Sequence, residues 1–351
     1  MTDTDASTRD RLRQLVNGYQ VTQAIHVATV LGLPDHLADG PRAVSDLATR
    51  TATDERSLHR LLRAITSIGL VRTSGDGEDQ QFELTDLGRL LRTDVAGSLA
   101  GWATLVGRGY HWEAWGDLLH SVQTGETAFD ARHGGRNVWA WRADNPEESA
   151  VFDRAMSSIA GSVARGLADR YDLGHCSVIA DLGGGDGTLL ATVLPRYPEM
   201  RGVLLDLPHV VAGAPARLEA AGVADRCDVV PGSFFETVPP GCDVYVLKSI
   251  LHDWDDDAAL QILRRVRSTI SPTSMALIVE RLVDEREPSV IAAMSDLNMM
   301  VNTGGRERSI EQWRALAGAA GFEITGSVDI GSGWYAIEAL PRASSADGDA
   351  L

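Results

Sequence analysis

Val178-Ile179-Ala180-Asp181-Leu182-Gly183-Gly184-Gly185-Asp186-Gly187-Thr188 is the stretch that decides the fold. Its first half is a short apolar run of the kind that forms a buried strand, and its second half is a glycine turn leading into the helix-period run Leu189–Leu194. Glycine lets a backbone turn tightly and approach a ligand with no Cβ in the way. Downstream, the strand-like runs Val203–Asp206, Asp228–Val230, Val244–Leu247 and Met275–Glu280 alternate with helical stretches such as Ala258–Ile270. Strands alternating with helices imply parallel pairing through crossovers, so this half is expected to be an α/β doubly wound sheet with its ligand outside the carboxyl ends of the strands.

The glycine spacing narrows the ligand. A dinucleotide fingerprint would place its third glycine where Thr188 stands, which disfavours NAD(P). The next strand ends in Asp206, about twenty residues on, where an acid accepts hydrogen bonds from ribose hydroxyls. A nucleoside-bearing cofactor without a pyrophosphate fits both features, and S-adenosylmethionine is the common one. The competing reading is a structural glycine turn followed by a chance acid.

Upstream, Leu12, Leu15, Val16, Tyr19, Ile25, Ala28 and Leu31 recur at helical spacing. A second periodic run through Leu58, Leu61, Leu62, Ile65 and Ile68 follows, then two strand-like pieces, Leu70–Thr73 and Gln81–Leu84, around the turn cluster Ser74–Gly77. Helix, turn, helix, hairpin is a winged-helix pattern. Charge argues against a nucleic-acid partner: residues 1–105 carry 11 Arg against 14 Asp plus Glu, and the whole chain is at −17. The broad apolar first helix instead suggests packing on a second copy of the chain. From Gly101 to Tyr171 the sequence is helical and rich in Trp, which suits either core packing or the lining of a pocket for a flat ligand.

The chain has 351 residues with 44% hydrophobic and 23% charged content, enough for about two domains and a sizeable core. Cys176, Cys227 and Cys242 are odd in number and widely spaced, so neither a disulfide framework nor a metal site is expected. The polar N-terminus is no secretory signal, and no uncharged apolar run reaches the roughly 18 residues of a membrane span. A cytoplasmic chain with no membrane partner is expected. Of its 32 basic residues only Lys248 is lysine.

Three further segments carry a resemblance: Gly232-Ser233-Phe234-Phe235-Glu236, Leu247-Lys248-Ser249-Ile250-Leu251-His252-Asp253-Trp254, and Gly304-Gly305-Arg306-Glu307-Arg308-Ser309 leading to Gly321-Phe322. With the glycine loop and Leu205-Asp206-Leu207-Pro208, the chain resembles over nearly its whole length the small-molecule O-methyltransferases of the caffeate and isoflavone type. The bacterial branch that decorates aromatic polyketides is the most similar. The resemblance implies a class I methyltransferase Rossmann-like fold and an N-terminal, mostly helical, winged-helix-like dimerisation domain. It divides the chain into 1–102 for dimerisation, 103–342 for a helical lid and the S-adenosylmethionine-binding catalytic domain, and a disordered tail at 343–351. It implies a homodimer.

The same resemblance assigns the site. Asp181, Gly183, Gly185, Asp206, Leu207, Ser233, Phe234, Lys248 and Trp254 are implied to bind the cofactor, with Phe234 against adenine and Trp254 at its edge. Ser233 departs from the family's usual Asp before that Phe, so the carboxylate contact on the adenine side is replaced at best by a hydroxyl. Trp112, Phe152, Met156, Asn298, Met299 and Asn302 are implied to line the acceptor.

Methyl transfer needs a nucleophile aligned in-line with the donor carbon and stripped of its proton. A phenol near 10 and a histidine near 6.5 leave full prior proton transfer uphill by about 3.5 pH units, roughly 4.8 kcal/mol, which a histidine acting in concert with methyl movement largely avoids. His252 is the expected base, and Glu280 and Glu307 match the family's carboxylates that orient it. Asp253 is the weaker candidate, since with Asp255–Asp257 it reads as the acidic start of the next helix. The other histidines read as surface or core, with His111 and His120 falling in the aromatic region. Diversion of the scaffold to N-methylation, decarboxylation or hydroxylation, and a winged-helix regulator sensing the cofactor, are the alternatives.

Overall fold

In the computed structural model, residues Asp3–Ala343 are described. The polar tail expected from 343 therefore falls, after Ala343, outside the described residues. The chain divides into two compact units: Met1–Trp112 with Pro146–Ile159, and Glu113–Asn145 with Ala160–Leu351.

In the first unit, helices Asp3–Val16 and Gly18–Val30 lead to a two-residue strand β1 (Arg42–Ala43). Helices Val44–Thr51 and Glu55–Ser67 and the hairpin β2 (Val71–Ser74) and β3 (Gln81–Leu84) follow, the three strands pairing antiparallel in the order β1-β3-β2. Asp54 starts the Glu55–Ser67 helix by accepting the Ser57 N–H, and Leu58, Leu62 and Ile65 lie on its inner face at the three- and four-residue spacing of a helix stripe. They pack with Leu47 and Phe82. The first helices leave Leu12, Leu15, Val16 and Tyr19 more than half exposed, an apolar face that the described residues do not cover.

The second unit is built on a seven-stranded sheet, β4 (Val178–Leu182), β5 (Arg201–Asp206), β6 (Cys227–Pro231), β7 (Val244–Lys248), β8 (Met275–Arg281), β9 (Phe322–Gly331) and β10 (Trp334–Pro341), in the order β6-β5-β4-β7-β8-β10-β9. The first five are parallel, and β10 runs antiparallel to both its neighbours. β7 and β8 are near-continuous apolar runs, as strands covered on both faces must be. β9 instead alternates exposure along its length, which fits its place at the sheet edge. One covering helix, Asp256–Thr269, is capped by Asp255 accepting from the Ala258 N–H and buries Ala259, Ile262, Leu263 and Val266. Burying each of its larger aliphatic side chains contributes about 1.5–3 kcal/mol before entropy is counted. β4 pairs with β5 on one side and β7 on the other. Chain order reverses there, and such a switch point opens a crevice at the carboxyl ends of the strands.

Candidate active site

The carboxyl end of β4 turns through Gly183 and Gly185, both with left-handed φ (+71° and +65°), so any side chain there is strained. Gly183 N–H donates to the Leu205 carbonyl at 2.7 Å, tying the loop to the end of β5. A Cβ on Gly184 would overlap the Asp181 carboxylate, whereas one on Gly185 would meet nothing within 4 Å, so the loop is closed toward β4 and open outward. Asp206 shapes the turn as well: its carboxylate accepts from Gly185 N–H at 2.8 Å and Leu207 N–H at 2.7 Å. Each oxygen keeps a further lone pair for a ligand hydroxyl.

Asp181 is fully buried, and neither of its oxygens has a hydrogen-bond partner. A bare carboxylate in such a place is costly. Burial accordingly pushes it up to about 7, opposed by the charge of Lys248 at the end of β7. Lys248 also pulls down Asp206 and Asp253, whose carboxyls burial raises. The single lysine of the chain thus acts electrostatically on three carboxyls, of which Asp181 is wholly buried.

Ser233 spends its hydroxyl locally, accepting the Phe235 N–H at 3.3 Å. Phe234 lies edge-on to Trp254 with ring centroids 6.5 Å apart, and Trp254 stacks on Trp139 at 5.9 Å. A Cβ on Gly183 would come within 3.2 Å of Phe234, so this aromatic group borders the glycine loop directly.

After β7 the chain makes a single helical turn, Leu251–Asp253, that carries His252. Glu280 in β8 is wholly buried, and its Oε1 accepts the N–H groups of Ile250 (3.0 Å), Leu251 (3.0 Å) and His252 (3.3 Å). Its Oε2 stands 3.3 Å from His252 Nδ1. Glu307 Oε1 is 3.0 Å from the same nitrogen. Two carboxylates thus face Nδ1, which fixes a proton there and leaves Nε2 as the ring nitrogen open to a ligand.

The Gly304–Arg308 loop braces this turn. Gly304 has a left-handed φ of +77°, and Gly305 passes so close to the His252–Trp254 backbone that a Cβ would overlap it. Arg306 N–H donates to the His252 carbonyl at 2.8 Å. Arg308, buried to 1% exposure, donates to the carbonyls of Leu251 (2.9 Å) and Trp254 (3.0 Å) on either side of His252 and to Asp256 (2.8 Å). Sequence reasoning quoted Arg308 but gave it no part; its signal was a second arginine in the Gly304–Ser309 motif, after Glu307.

Burial alone would disfavour a charge on His252, but the facing carboxylates outweigh it and carry the imidazole up to about 10, far from the ordinary 6.5 assumed from sequence. Burial raises Glu280 to about 7, with His252 pulling back. Glu307, although buried, is held below the usual range by the charge of His252 and by hydrogen bonds from His252 and Ser295. Asp253 is not part of the next helix's acidic start. Asp255 is that helix's cap, while Asp253 sits inside the preceding turn, partly buried, 3.9 Å from His252 Nε2. Burial raises it to about 6.

The helix Val290–Asn302 supplies the remaining polar groups. Trp115 Nε1 and Asn302 Nδ2 both donate to Asn298 Oδ1 at 3.0 Å. Asn302 is buried, and its own Oδ1 has no partner. Met299 turns inward beside Thr303, whose hydroxyl reaches its carbonyl at 3.1 Å. The cofactor and base residues named from sequence and the three on this helix thus belong to the second unit, while Trp112, Phe152 and Met156 belong to the first.

The glycine loop at the β4 switch point, Asp206 at the end of β5 and a buried histidine between two glutamates lie together at the strand ends of a doubly wound domain. The chain belongs to the O-methyltransferase family: the O-methyltransferase domain matches residues 115–323 and the O-methyltransferase dimerisation domain residues 13–94. A mitomycin biosynthesis 6-O-methyltransferase from Streptomyces lavendulae is 38% identical over 96% of both chains. A phenazine O-methyltransferase from Lysobacter antibioticus is 39% identical over 94% of this chain and 95% of that one. An O-methyltransferase from neocarzinostatin biosynthesis, solved with S-adenosylmethionine and 2-hydroxy-5-methyl naphthoic acid, superposes with a TM-score of 0.76 at 33% identity, covering 92% of this chain and 96% of that one. The same family includes a relative named as an aclacinomycin 10-hydroxylase from Streptomyces purpurascens, 33% identical over 88% of this chain and 83% of that one.

Proposed function

We propose that this protein transfers the methyl group of S-adenosylmethionine to a hydroxyl of an aromatic secondary metabolite, with His252 as the base that takes the hydroxyl proton. The observation that carries the reading is the pairing of His252 Nδ1 with two glutamates, 3.0 and 3.3 Å away. The residues present fit the cofactor: an unpartnered buried Asp181, a Gly185 with open space before it, and the Phe234–Trp254 pair beside the loop. Asp181, Gly183, Gly185, Asp206, Leu207, Phe234, Lys248 and Trp254 would hold it, with Ser233 reduced to shaping the turn. When bound, S-adenosylmethionine supplies an electrophilic methyl carbon.

His252 does the rest of the chemistry through Nε2. Glu280 and Glu307 fix the proton on Nδ1 and stabilise the imidazolium formed when Nε2 accepts the acceptor's proton. With the imidazole carried well above its ordinary value by the two carboxylates, proton transfer from a phenol is less uphill than the ordinary values of the two groups imply. The same elevation means that His252 must first shed its own proton, so turnover rises with pH. The buried, unpartnered Asn302 Oδ1 supports the reading that it accepts from a hydroxyl or amine of the acceptor. The dimerisation-domain match supports a homodimer, and its apolar first helices supply the self-complementary face. No described helix is long and apolar enough to cross a membrane, and a cytoplasmic site of action is part of the proposal.

The hydroxylase relative makes oxygen insertion the second reading. Incubation with methyl-labelled S-adenosylmethionine and a panel of hydroxylated aromatic acceptors separates the two: label in the product supports methyl transfer, whereas an oxygenated, unlabelled product overturns it.

A further inference from the structure

Glu307 Oε1 makes two contacts. It faces His252 Nδ1 at 3.0 Å, and it accepts the hydroxyl hydrogen of Ser295 at 2.7 Å. Ser295 stands on the Val290–Asn302 helix, three residues before Asn298 and seven before Asn302, so all three lie on one helix face. The residue after it, Asp296, accepts the Glu307 N–H at 2.8 Å, so this helix grips both the backbone and the carboxylate of Glu307.

We propose that Ser295 is a positioning residue for the reaction, holding Glu307 so that one carboxylate oxygen stays on His252 Nδ1 and registering that contact to the helix that carries Asn298 and Asn302. The proposal rests on His252 being the base. A glutamate side chain has three rotatable bonds, and the second oxygen of Glu307, buried without a partner, gives it no anchor of its own. Glu280 needs no such help, because three backbone N–H groups fix its Oε1. Without the serine hydroxyl, Glu307 is tied to the base by the His252 contact alone, and the productive imidazole orientation is populated for less of the time. Ser295 touches neither the open side of His252 nor the glycine loop, so its effect belongs in the chemical step and not in cofactor binding.

The test is a kinetic cycle on the full-length protein with one methylated acceptor: Ser295→Ala, Ser295→Thr, Glu307→Ala and the double variant Ser295→Ala/Glu307→Ala, beside His252→Ala. A hydrogen bond to a charged group predicts that Ser295→Ala lowers kcat about tenfold. The acceptor KM and the cofactor Kd are expected to stay within about twofold, and Ser295→Thr, which keeps the hydroxyl, to retain most of the turnover. In the Glu307→Ala background, Ser295→Ala is expected to cost nothing further, because the group it holds is gone. An equal loss from Ser295→Ala with and without Glu307, or no loss in either, overturns the positioning role. If His252→Ala also keeps full turnover, the base reading itself has failed; if His252→Ala is inactive, only the part of Ser295 has failed. Should Ser295→Ala fold poorly, the threonine variant decides alone: loss of turnover in a folded Ser295→Thr that keeps the Glu307 contact contradicts the proposal.

Discussion

Gly305 and His252 are in backbone contact: the loop that delivers Glu307 runs so close to the His252 carbonyl that any Cβ at Gly305 would overlap that oxygen. The two glycines at 304 and 305 therefore do different things, the first supplying a left-handed turn and the second a close approach. Gly305→Ala must push the loop outward. A displacement near 1 Å at a catalytic group costs on the order of 100-fold in rate. The variant is expected to fold, bind cofactor as the parent does, and lose about that much kcat. Parent-like kcat would show that Glu307 can be presented from elsewhere.

Arg308 holds the same turn from the other side, through carbonyls at 251 and 254. Truncating it removes a donor from the buried Leu251 carbonyl, which keeps only the longer Trp254 N–H contact, and from the part-buried Trp254 carbonyl, at up to about 1–3 kcal/mol each. Arg308→Met is expected to lower the thermal midpoint by several degrees and kcat more than tenfold, measured by calorimetry and steady-state kinetics. Arg308→Lys recovers little, since one ammonium cannot span three acceptors with a planar fork.

The pH profile tests the electrostatics. In the free enzyme His252 is carried up to about 10 by the carboxylates that face it, Glu280 and Glu307, with Asp253 adding to the effect. The neutral base accumulates as pH rises, so kcat/KM is expected to climb through the alkaline range. Glu307→Gln removes one negative charge, returns the imidazole toward its ordinary 6.5, and moves the rising limb to lower pH with a lower plateau. A limb that does not move contradicts the assignment of that titration to His252.

Asp181 makes a stability prediction with a definite sign. Its carboxyl is raised in the folded state, to about 7 from 3.8, so the protonated form is favoured by folding. The stability it contributes is present below its unfolded value and is lost as pH rises through the folded one, between about 4 and 7. Without cofactor, Asp181→Asn is expected to show a shallower fall of thermal midpoint across that window than the parent, together with weaker cofactor binding by calorimetry. Parallel midpoint curves would remove Asp181 as the titrating group.

Much of this architecture was legible in the residues. β4, β7 and β8 are runs of β-branched and aliphatic residues buried on both faces, and β5 and β6 extend the same alternation of strand with helix toward the sheet edge. β9 and β10 were not seen: Phe322–Gly331 alternates polar and apolar residues and contains Gly326, the mark of an edge strand and a weak signal beside the core runs. His252 and Glu280 follow the apolar runs of β7 and β8, and Glu307 was found because the Gly304–Ser309 loop matches the family's motif. Ser295 and Arg308 were not assigned, since what makes them matter is a contact across 12 and 57 residues of chain that only folding creates. Asp253 was misread because four nearby acids look alike in sequence, and only the cap geometry shows that Asp255 starts the helix.

The central claim is that His252 removes the acceptor's proton while other residues hold the cofactor. Its most direct measurement pairs two readings on His252→Ala: cofactor affinity by calorimetry, and transfer of labelled methyl from S-adenosylmethionine to a phenolic acceptor. Affinity within about twofold of the parent, with transfer reduced at least 100-fold at neutral pH, is the predicted result. Transfer at the parent's rate would contradict the account and leave alignment alone as the source of catalysis.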